Sequence, residues 1–527
     1  MKAKAGLLSL PEELLTYILS FLPWRDILRC TSSCKALRHI SMSESSSGLQ
    51  YAIELGSQRL LPVSNNHIPV AERLKLLREN ASAWFKFDLH SFETISIPEK
   101  FHWFTATYIT NGHACFWNPR IDSVRIFPVL PKPSQETIER DFSPGSLCAV
   151  SNTSDIDVFM DPAQNLLAIA YAISGDNYPY DEESYIELLT LDGDGVHPQA
   201  AGRTLFMSDL WLPEGRENFV RWCSKLEGFE KYIAFLRFAP LFDVIGSSVY
   251  SKWCLHIWDW QHSTSSNSML SGSTTLDLDS DRPIDFCFLG NDRFLIISDN
   301  LELYLIEDMS RPPQLLARFL LPASVFNLKC CTPTSDIACS SHPEKQAQQV
   351  TWVSDPKYRV LSLVSHPSGL DFVISTTIFF DDFFDSEGMS PIIPWIYWGP
   401  SNVRIFLHDF PCRLGVSGSR ALNPFPAAGA TNSDDEYRLH MMDFSPSAVR
   451  RHQQGLGRLV DEPSTVYNCE SGEYLTTFLP YVEVVSDRTF EFGEFAEIWL
   501  DQDKIYLFKE HLDIDPNDTD ELEVIEM

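Results

Sequence analysis

The sequence predicts an α+β multidomain protein with a small all-α unit at the N-terminus, a helical linker and a large all-β domain. Apolar residues recur at helical spacing up to about residue 90. Beyond about residue 100, short runs of β-branched and aromatic residues alternate with turn formers. The composition agrees, because 44% of the 527 residues are hydrophobic and include 35 Phe, 17 Tyr and 13 Trp, which favour strands and a large core.

The first predicted helix follows Leu10 and Pro11. Pro11 fits the first turn of a helix, where its missing N–H costs nothing. Glu12 and Glu13 place negative charge at the positive end of the helix dipole, which is favourable. The apolar residues that follow recur at steps of one, three and four residues and therefore share one stripe. These residues are Leu14, Leu15, Ile18, Leu19 and Leu22. Pro23 ends the helix.

Two further short helices are predicted before residue 48. Ile27 and Leu28 belong to the second helix, and Leu37 belongs to the third, which Ser32 or Ser33 can cap. About forty residues cannot bury enough surface to be securely stable alone, so we expect part of the apolar stripe to contact a partner. The alternative is that the stripe packs against the rest of the same chain.

Several elements of one known motif lie in register along this segment. They are Leu10-Pro11, Glu13-Leu14, Ile18-Leu19, Leu22, Asp26-Ile27-Leu28-Arg29, Cys34-Lys35 and Arg38. On these residues the chain resembles F-box proteins, with the F-box at residues 7–48. One departure is Leu37, where many members carry Trp. Residues 49–55 and 70–87 resemble the helical continuation in large fungal F-box families, which predicts a helical linker over 49–90.

The resemblance implies a binding site for a protein partner. F-box proteins dock on the Skp adaptor of a cullin-RING ubiquitin ligase, and their C-terminal domain selects the substrate. The implied partners are a Skp adaptor, a cullin reached through it and an unknown protein substrate on the C-terminal domain. The residues expected to bind the adaptor are Leu10, Pro11, Leu14, Leu15, Ile18, Leu19, Leu22, Ile27, Leu28 and Leu37.

Within the linker, apolar residues recur at alternating steps of four and three and predict one face of a helix. They are Val70, Leu74, Leu77, Ala81 and Trp84. We expect this face to be core that joins the F-box to the following domain. A rigid joint of this kind would fix the distance between two bound partners.

Residues 91–510 are predicted to form a β-propeller, because a compact unit of strands recurs there. In one copy a strand from Ile156 to Met160 meets a turn at Asp161-Pro162, and a second copy turns at Gly290-Asn291-Asp292. Roughly seven blades fit. Trp258-Asp259 resembles the dipeptide of WD repeats. A two-sheet sandwich is the alternative, but the units continue well beyond the length of a single sandwich.

Three segments are predicted to lie outside the regular strands. Residues 261–281 and 415–436 are rich in Ser, Gly and Pro and are expected to be mobile surface loops. Residues 511–527 contain no basic residue and are expected to be a solvated acidic tail.

The sequence predicts no catalytic residue, cofactor or metal site. It has no glycine-rich phosphate loop, nucleophile elbow or His-Glu-x-x-His helix. The carboxylates at 381–385 and 434–436 are interpreted as solvated turns, and Cys30, Cys34 and His39 as packing residues. We therefore expect a non-catalytic substrate-recognition subunit of a Skp-cullin-F-box ligase. The alternatives are a Skp-bound scaffold without ligase activity, and a propeller hydrolase with an appended F-box.

Charge and hydropathy limit the environment of the protein. The formal net charge is −31, and the only Arg-dense stretch is Arg450, Arg451 and Arg458, so no nucleic-acid partner is expected. No run approaches the roughly 18 apolar residues of a membrane-spanning helix, and the N-terminus does not match a secretory signal. A cytoplasmic or nuclear location, with no membrane partner, is expected.

The charge balance gives a first testable prediction. The purified protein should not bind duplex DNA or RNA at physiological salt, because no basic stripe is present to replace the counterions of the phosphate backbone. A mobility assay over a salt series checks this. A retained complex whose affinity falls with salt would contradict it.

Overall fold

The computed structural model describes residues 7–63, 68–97, 106–110, 112–118, 123–130, 137–142, 147–148, 150, 153–174, 182–207, 223–242, 249–275, 284–290, 292–322, 325, 328–330, 352–365, 369–381, 391–407, 414–427, 436–445, 448, 457–468, 472–491, 494–509 and 520–527. Several residues named above lie outside these ranges. They are Asn291, Arg450, Arg451, and the parts of the named segments at 276–281, 382–385, 428–435 and 511–519.

Helices dominate the N-terminal part. They are α1 (Glu12–Ser20), α2 (Trp24–Ser33), α3 (Lys35–Met42) and α4 (Ser47–Gln58), followed by strand β1 (Leu60–Pro62) and helix α5 (Val70–Lys86), with 3-10 turns at Leu7–Ser9 and Glu44–Ser46. A proline precedes α1, α2 and α5 with φ of −55°, which starts each helix without losing an intrahelical hydrogen bond. Ser32 and Ser33 do not cap α3. Their hydroxyls donate to carbonyls within α2, and Cys34 takes the cap position.

The strands form a ring of sheets. Strand β2 (Glu93–Ile97) comes first. Blade 1 contains β3 (Ala106–Thr110), β4 (His113–Asn118), β5 (Ser123–Pro128) and β6 (Arg140–Phe142). Blade 2 contains β7 (Thr153–Asp161), β8 (Leu166–Ser174), β9 (Glu182–Thr190) and β10 (Thr204–Phe206). Blade 3 contains β11 (Cys223–Phe229), β12 (Tyr232–Phe242), β13 (Val249–Asp259) and β14 (Ser268–Thr275).

The next elements complete blades 4 and 5. Blade 4 contains β15 (Asp285–Gly290), β16 (Arg293–Ile297), β17 (Asn300–Leu305) and β18 (Gln314–Leu320). Then follow β19 (Leu328–Cys330), β20 (Trp352–Ser354), β21 (Val360–Ser365), β22 (Leu370–Ser375), β23 (Ile392–Ile393), helix α6 (Trp395–Asn402) and β24 (Val403–Leu407), with 3-10 turns at Pro356–Tyr358 and Thr376–Phe380. Blade 5 is β19, β21, β22 and β24, whereas β23 extends blade 4 and β20 pairs with β1.

The last elements complete blades 6 and 7. They are β25 (Gly415–Ser417), β26 (Arg420–Pro426), β27 (Glu436–Asp443), β28 (Arg458–Val460), β31 (Tyr481–Glu491), β32 (Glu497–Leu500), β33 (Lys504–Lys509) and β34 (Asp520–Glu526). Between β28 and β31, strands β29 (Ser464–Asn468) and β30 (Glu473–Thr477) form a separate two-stranded sheet. Blade 6 is β25, β26, β27, β31 and β28, and blade 7 is β32, β33, β34 and β2. The described residues thus form a seven-bladed β-propeller, which confirms the predicted fold class and not the two-sheet sandwich.

Blade 7 closes the ring by joining the two ends of the domain. Strand β2 pairs antiparallel with β34, from Glu93 opposite Val524 to Ile97 opposite Asp520. The prediction of an acidic tail is therefore wrong for residues 520–526. The apolar residues of β34 are buried, and Glu523 between them lies 2.5 Å from Lys509 Nζ and 3.0 Å from Arg488 Nη2. Pairing with these two cations allows the carboxylate of Glu523 to be buried, although the acidic composition of the segment indicated a solvated tail.

Neighbouring blades are joined by an aspartate on the first strand of a blade. Asp157 on β7 accepts a hydrogen bond from Leu226 N on β11 at 2.7 Å, and Asp285 on β15 accepts one from Cys330 N on β19 at 2.8 Å. Each of these carboxylates also accepts from the N–H of the residue that follows it. Between these two bridges, Lys225 Nζ on β11 lies 2.5 Å from Asp285 Oδ1. Blades 2 to 5 are thus linked in succession.

The linker helix packs on the propeller through its predicted face. Leu74, Leu77, Ala81 and Trp84 are buried and Val70 is half-buried, which confirms the periodicity prediction. The indole of Trp84 donates to Gln502 O at 3.1 Å, and the guanidinium of Arg420 lies 4.7 Å from the centre of its ring. Strand β1 pairs with β20 nearby. Several independent contacts therefore join the helices to the propeller.

Two predicted loops contain strands instead. Within 261–281, β14 pairs with β13 along its whole length, and within 415–436, β25 and β26 belong to blade 6. Their Ser, Gly and Pro residues resemble a loop in composition, but a neighbouring strand supplies the hydrogen bonds that define each strand. Residues 395–402, within the predicted propeller, form helix α6 and not a strand.

Ring closure gives the second testable prediction. Leu522→Ala should lower the free energy of unfolding by about 2–5 kcal/mol, because it leaves a cavity in the sheet that closes the ring. Glu526→Gln, on the same strand but exposed, should change it by less than about 0.5 kcal/mol. Thermal and urea unfolding of the full chain measure both. Equal stability of the two variants would show that β34 does not support the propeller.

Candidate docking surface

Helix α1 has two apolar sides that serve different purposes. On one side Leu15 and Leu19 are each only 4% exposed and pack in a small core with Ile27, Leu37 and Ile40. This core holds the short helices together. On the other side, large apolar residues contact no such core. These are Leu14, Tyr17, Ile18 and Phe21, with 49%, 62%, 39% and 69% of their surface exposed.

The structure places the ten residues predicted at the adaptor interface in three environments. Leu10, Pro11, Leu14 and Ile18 are exposed. Leu22 and Leu28 are half-buried. Leu15, Leu19, Ile27 and Leu37 are buried in the core of the helical unit. The single predicted stripe is therefore divided between the interior and the surface, because its width exceeds the part of α1 that α2 and α3 can cover.

Sequence reasoning missed several exposed apolar residues of the same unit. They are Leu7, Leu8, Tyr17, Phe21 and Met42. The rings of Tyr17 and Phe21, one helical turn apart, lie 4.8 Å from each other in an edge-to-face arrangement. The sequence offered only their spacing, since Tyr17 and Phe21 follow Leu14 and Ile18 of the predicted stripe by three positions and so lie beside them on the helix surface. We name the exposed residues Leu10, Pro11, Leu14, Tyr17, Ile18 and Phe21 the α1 face.

The α1 face offers apolar area and no reactive group. Glu12 and Glu13 are exposed at the start of α1, and Glu12 accepts a hydrogen bond from Ser43 Oγ at 3.3 Å. Cys30 and Cys34 pack against the helical core. Within the described ranges, no three His, Cys, Asp or Glu side chains are grouped in a way that could hold a metal ion. The arrangement can bury a partner's apolar surface against a rim of carboxylates.

The N-terminal segment matches a known family. The family described as F-box-like matches residues 7–46, which span α1 to α3 and the 3-10 turns beside them. These residues form an F-box-like domain. The F-box-like domain therefore carries the α1 face, and the propeller follows it through α4 and α5.

Comparisons of the whole chain give weaker likenesses. The C-terminal WD40 domain of Sif2 is 9% identical, with 82% of this chain and 99% of that chain covered and a TM-score of 0.32. Puromycin hydrolase is 12% identical, with 74% and 50% covered and a TM-score of 0.30. Apo AztD from Citrobacter koseri is 8% identical, with 72% and 74% covered and a TM-score of 0.27. No curated protein matches the chain. Among the described helices, none is long and apolar enough to cross a membrane.

The two sides of α1 give the third testable prediction. Leu19→Ala should destabilise the F-box-like domain by about 2–5 kcal/mol, because it removes a buried side chain from a small core. Leu14→Ala, on the exposed side of the same helix, should leave stability within about 0.5 kcal/mol. Native-state hydrogen exchange of the α1–α3 amides in the full chain measures the difference. Comparable losses in both variants would show that the α1 face is internal core.

Proposed function

We propose that this protein is the substrate-recognition subunit of a Skp-cullin-F-box ubiquitin ligase. The α1 face of the F-box-like domain docks on a Skp adaptor, which in turn brings a cullin, and the propeller recruits a protein substrate. The observation that carries this proposal is the exposure of large apolar side chains on a domain whose core is already filled by other residues. Contiguous exposed apolar surface of this kind is typical of protein-binding sites.

The adaptor contact uses the exposed subset of the predicted residues. Leu10, Pro11, Leu14 and Ile18, together with Tyr17 and Phe21, present side chains that a partner can bury. Aromatic residues are common at the energetic centre of protein interfaces. Leu15, Leu19, Ile27 and Leu37 act indirectly, by fixing the angle between α1 and the two helices beneath it.

In this proposal the propeller positions the substrate and does not catalyse a reaction. The packing of Trp84 and of β1 on the propeller holds the F-box-like domain at a fixed position. A fixed spacing raises the local concentration of substrate lysines near the conjugating enzyme without any catalytic group on this chain. The protein is thus proposed to be a non-enzymatic receptor that acts in the compartment of its ligase.

Adaptor binding gives the fourth testable prediction. A paired Leu10→Ala and Pro11→Ala change should weaken the affinity for a Skp adaptor at least roughly tenfold, because burial of one Leu contributes on the order of 1.5 to 3 kcal/mol. The matched control is Leu76→Ala, since Leu76 on α5 is 38% exposed and Leu10 is 37% exposed. Calorimetric titration of the purified full chain with the adaptor gives the affinities.

The outcomes of this experiment separate the possible roles. Unchanged affinity in the paired variant would contradict docking through the α1 face. If the adaptor binds but no cullin co-purifies with the wild-type chain, and no ubiquitin transfer depends on the F-box-like domain, the protein is a Skp-bound scaffold. Thermal unfolding of the propeller should be the same in all variants, since its core lies elsewhere.

A further inference from the structure

Two cysteines face each other between neighbouring blades. Cys287 lies on β15 of blade 4, and Cys330 lies on β19 of blade 5. Asp285 and Cys287 share one face of β15 because they are two residues apart. The backbone N–H of Cys330 donates a hydrogen bond to Asp285 Oδ2, with an N–O distance of 2.8 Å, and this bond places Cys330 beside Cys287. Cys330 packs against the core that contains Cys287, and the two thiols are hydrogen-bonded to each other.

The surroundings make the two thiols unequal. The hydrogen bond with Cys287 and the ammonium of Lys225 lower the pKa of Cys330 below its ordinary value, although burial and the carboxylates of Asp285 and Glu227 oppose them. The same hydrogen bond, together with burial, raises the pKa of Cys287. Lys225 is fixed in place, with its Nζ 2.5 Å from Asp285 Oδ1, 2.7 Å from Glu227 Oε1 and 2.9 Å from Phe286 O. Its positive charge therefore cannot move away.

Both cysteines belong to the joint between blades 4 and 5. Cys330 is half-buried, whereas Cys287 is buried in the core between blades 4 and 5. A thiol of lowered pKa beside a second thiol is the arrangement typical of oxidation-sensitive pairs. Cys254 on β13 shows the contrast within the same domain, since burial raises its pKa to about 12.

We propose that Cys330 and Cys287 are a peroxide-responsive pair that forms a disulfide between blades 4 and 5. The thiolate of Cys330 attacks one oxygen of hydrogen peroxide, the O–O bond breaks, and hydroxide leaves and takes a proton to become water. The sulfur of Cys287 then attacks the sulfenic acid of Cys330. The S–S bond forms, the S–O bond breaks, and a second water leaves with the proton of Cys287. The two cysteines lose two electrons, and the peroxide gains them.

The disulfide would act on the joint between two blades. Cys287 and Cys330 lie on the first strands of their blades, next to the link that Asp285 already makes. A disulfide there would join the two ends of the segment between Cys287 and Cys330, which contains the rest of blade 4. The resulting loop would lower the conformational entropy of the unfolded chain. Oxidation should therefore stabilise the propeller, and a thiol reductant should reverse the effect.

The experiment treats the purified full chain with hydrogen peroxide, alkylates the remaining thiols and analyses a non-reducing digest by mass spectrometry. The expected product is a peptide pair that links Cys287 to Cys330 and that dithiothreitol abolishes. Cys287→Ser should instead leave a sulfenic acid on Cys330 that dimedone traps. The matched control Cys254→Ser should form the disulfide as the wild type does.

Two wild-type measurements make the test independent of how the variants fold. Iodoacetamide at pH 7 should alkylate Cys330 at least tenfold faster than Cys254, because only the thiolate reacts. Oxidation should raise the Tm of the propeller, and dithiothreitol should restore it. The proposal is overturned if Cys330 is oxidised without linkage to Cys287, if it pairs mainly with another cysteine, or if Cys254 reacts as fast as Cys330.

Discussion

The pairing of β2 with β34 is the constraint on which the rest of the molecule depends. A ring of blades with one open joint would expose strand edges and apolar faces at both ends. Here the outer strand of blade 7 comes from the N-terminal side of the domain and its other three strands come from the C-terminal side. Because β2 begins shortly after α5 ends, the segment that closes the ring also leads to the F-box-like domain. Ring closure and domain placement are therefore set by one stretch of chain.

Charged groups inside the ring are used as connectors. Asp157 and Asp285 each bond backbone N–H groups on two successive blades, and Lys225 lies between two carboxylates. A buried charge is costly unless it is paired and hydrogen-bonded. Burial raises the pKa of Glu227 to about 7, even though Lys225 opposes that shift. These blades are thus joined by polar contacts that tolerate little displacement, which suits a rigid platform.

The F-box-like domain uses one helix for two purposes. The buried side of α1 assembles a core too small to be secure alone, and the exposed side leaves aromatic surface for another protein. A partner that bound the α1 face would therefore also stabilise the F-box-like domain. The contacts of Trp84 with Gln502 and Arg420 attach helix α5, which follows the F-box-like domain, to the propeller.

The sequence by itself determined the order of the parts, the helix starts and the strand-rich repeat. Pro11 before α1, the periodic face from Val70 to Trp84, and the strand units that turn at Asp161-Pro162 and Gly290-Asn291-Asp292 are local signals, and local signals can be read from neighbouring residues. The tertiary structure alone decided which half of the α1 stripe is exposed, that residues 520–526 enter blade 7, and that Cys287 meets Cys330. Each of these outcomes depends on a partner element distant in the chain. Whether a residue is buried or a strand is paired depends on the segment and on the element that packs against it. The composition of the segment describes only the first of these.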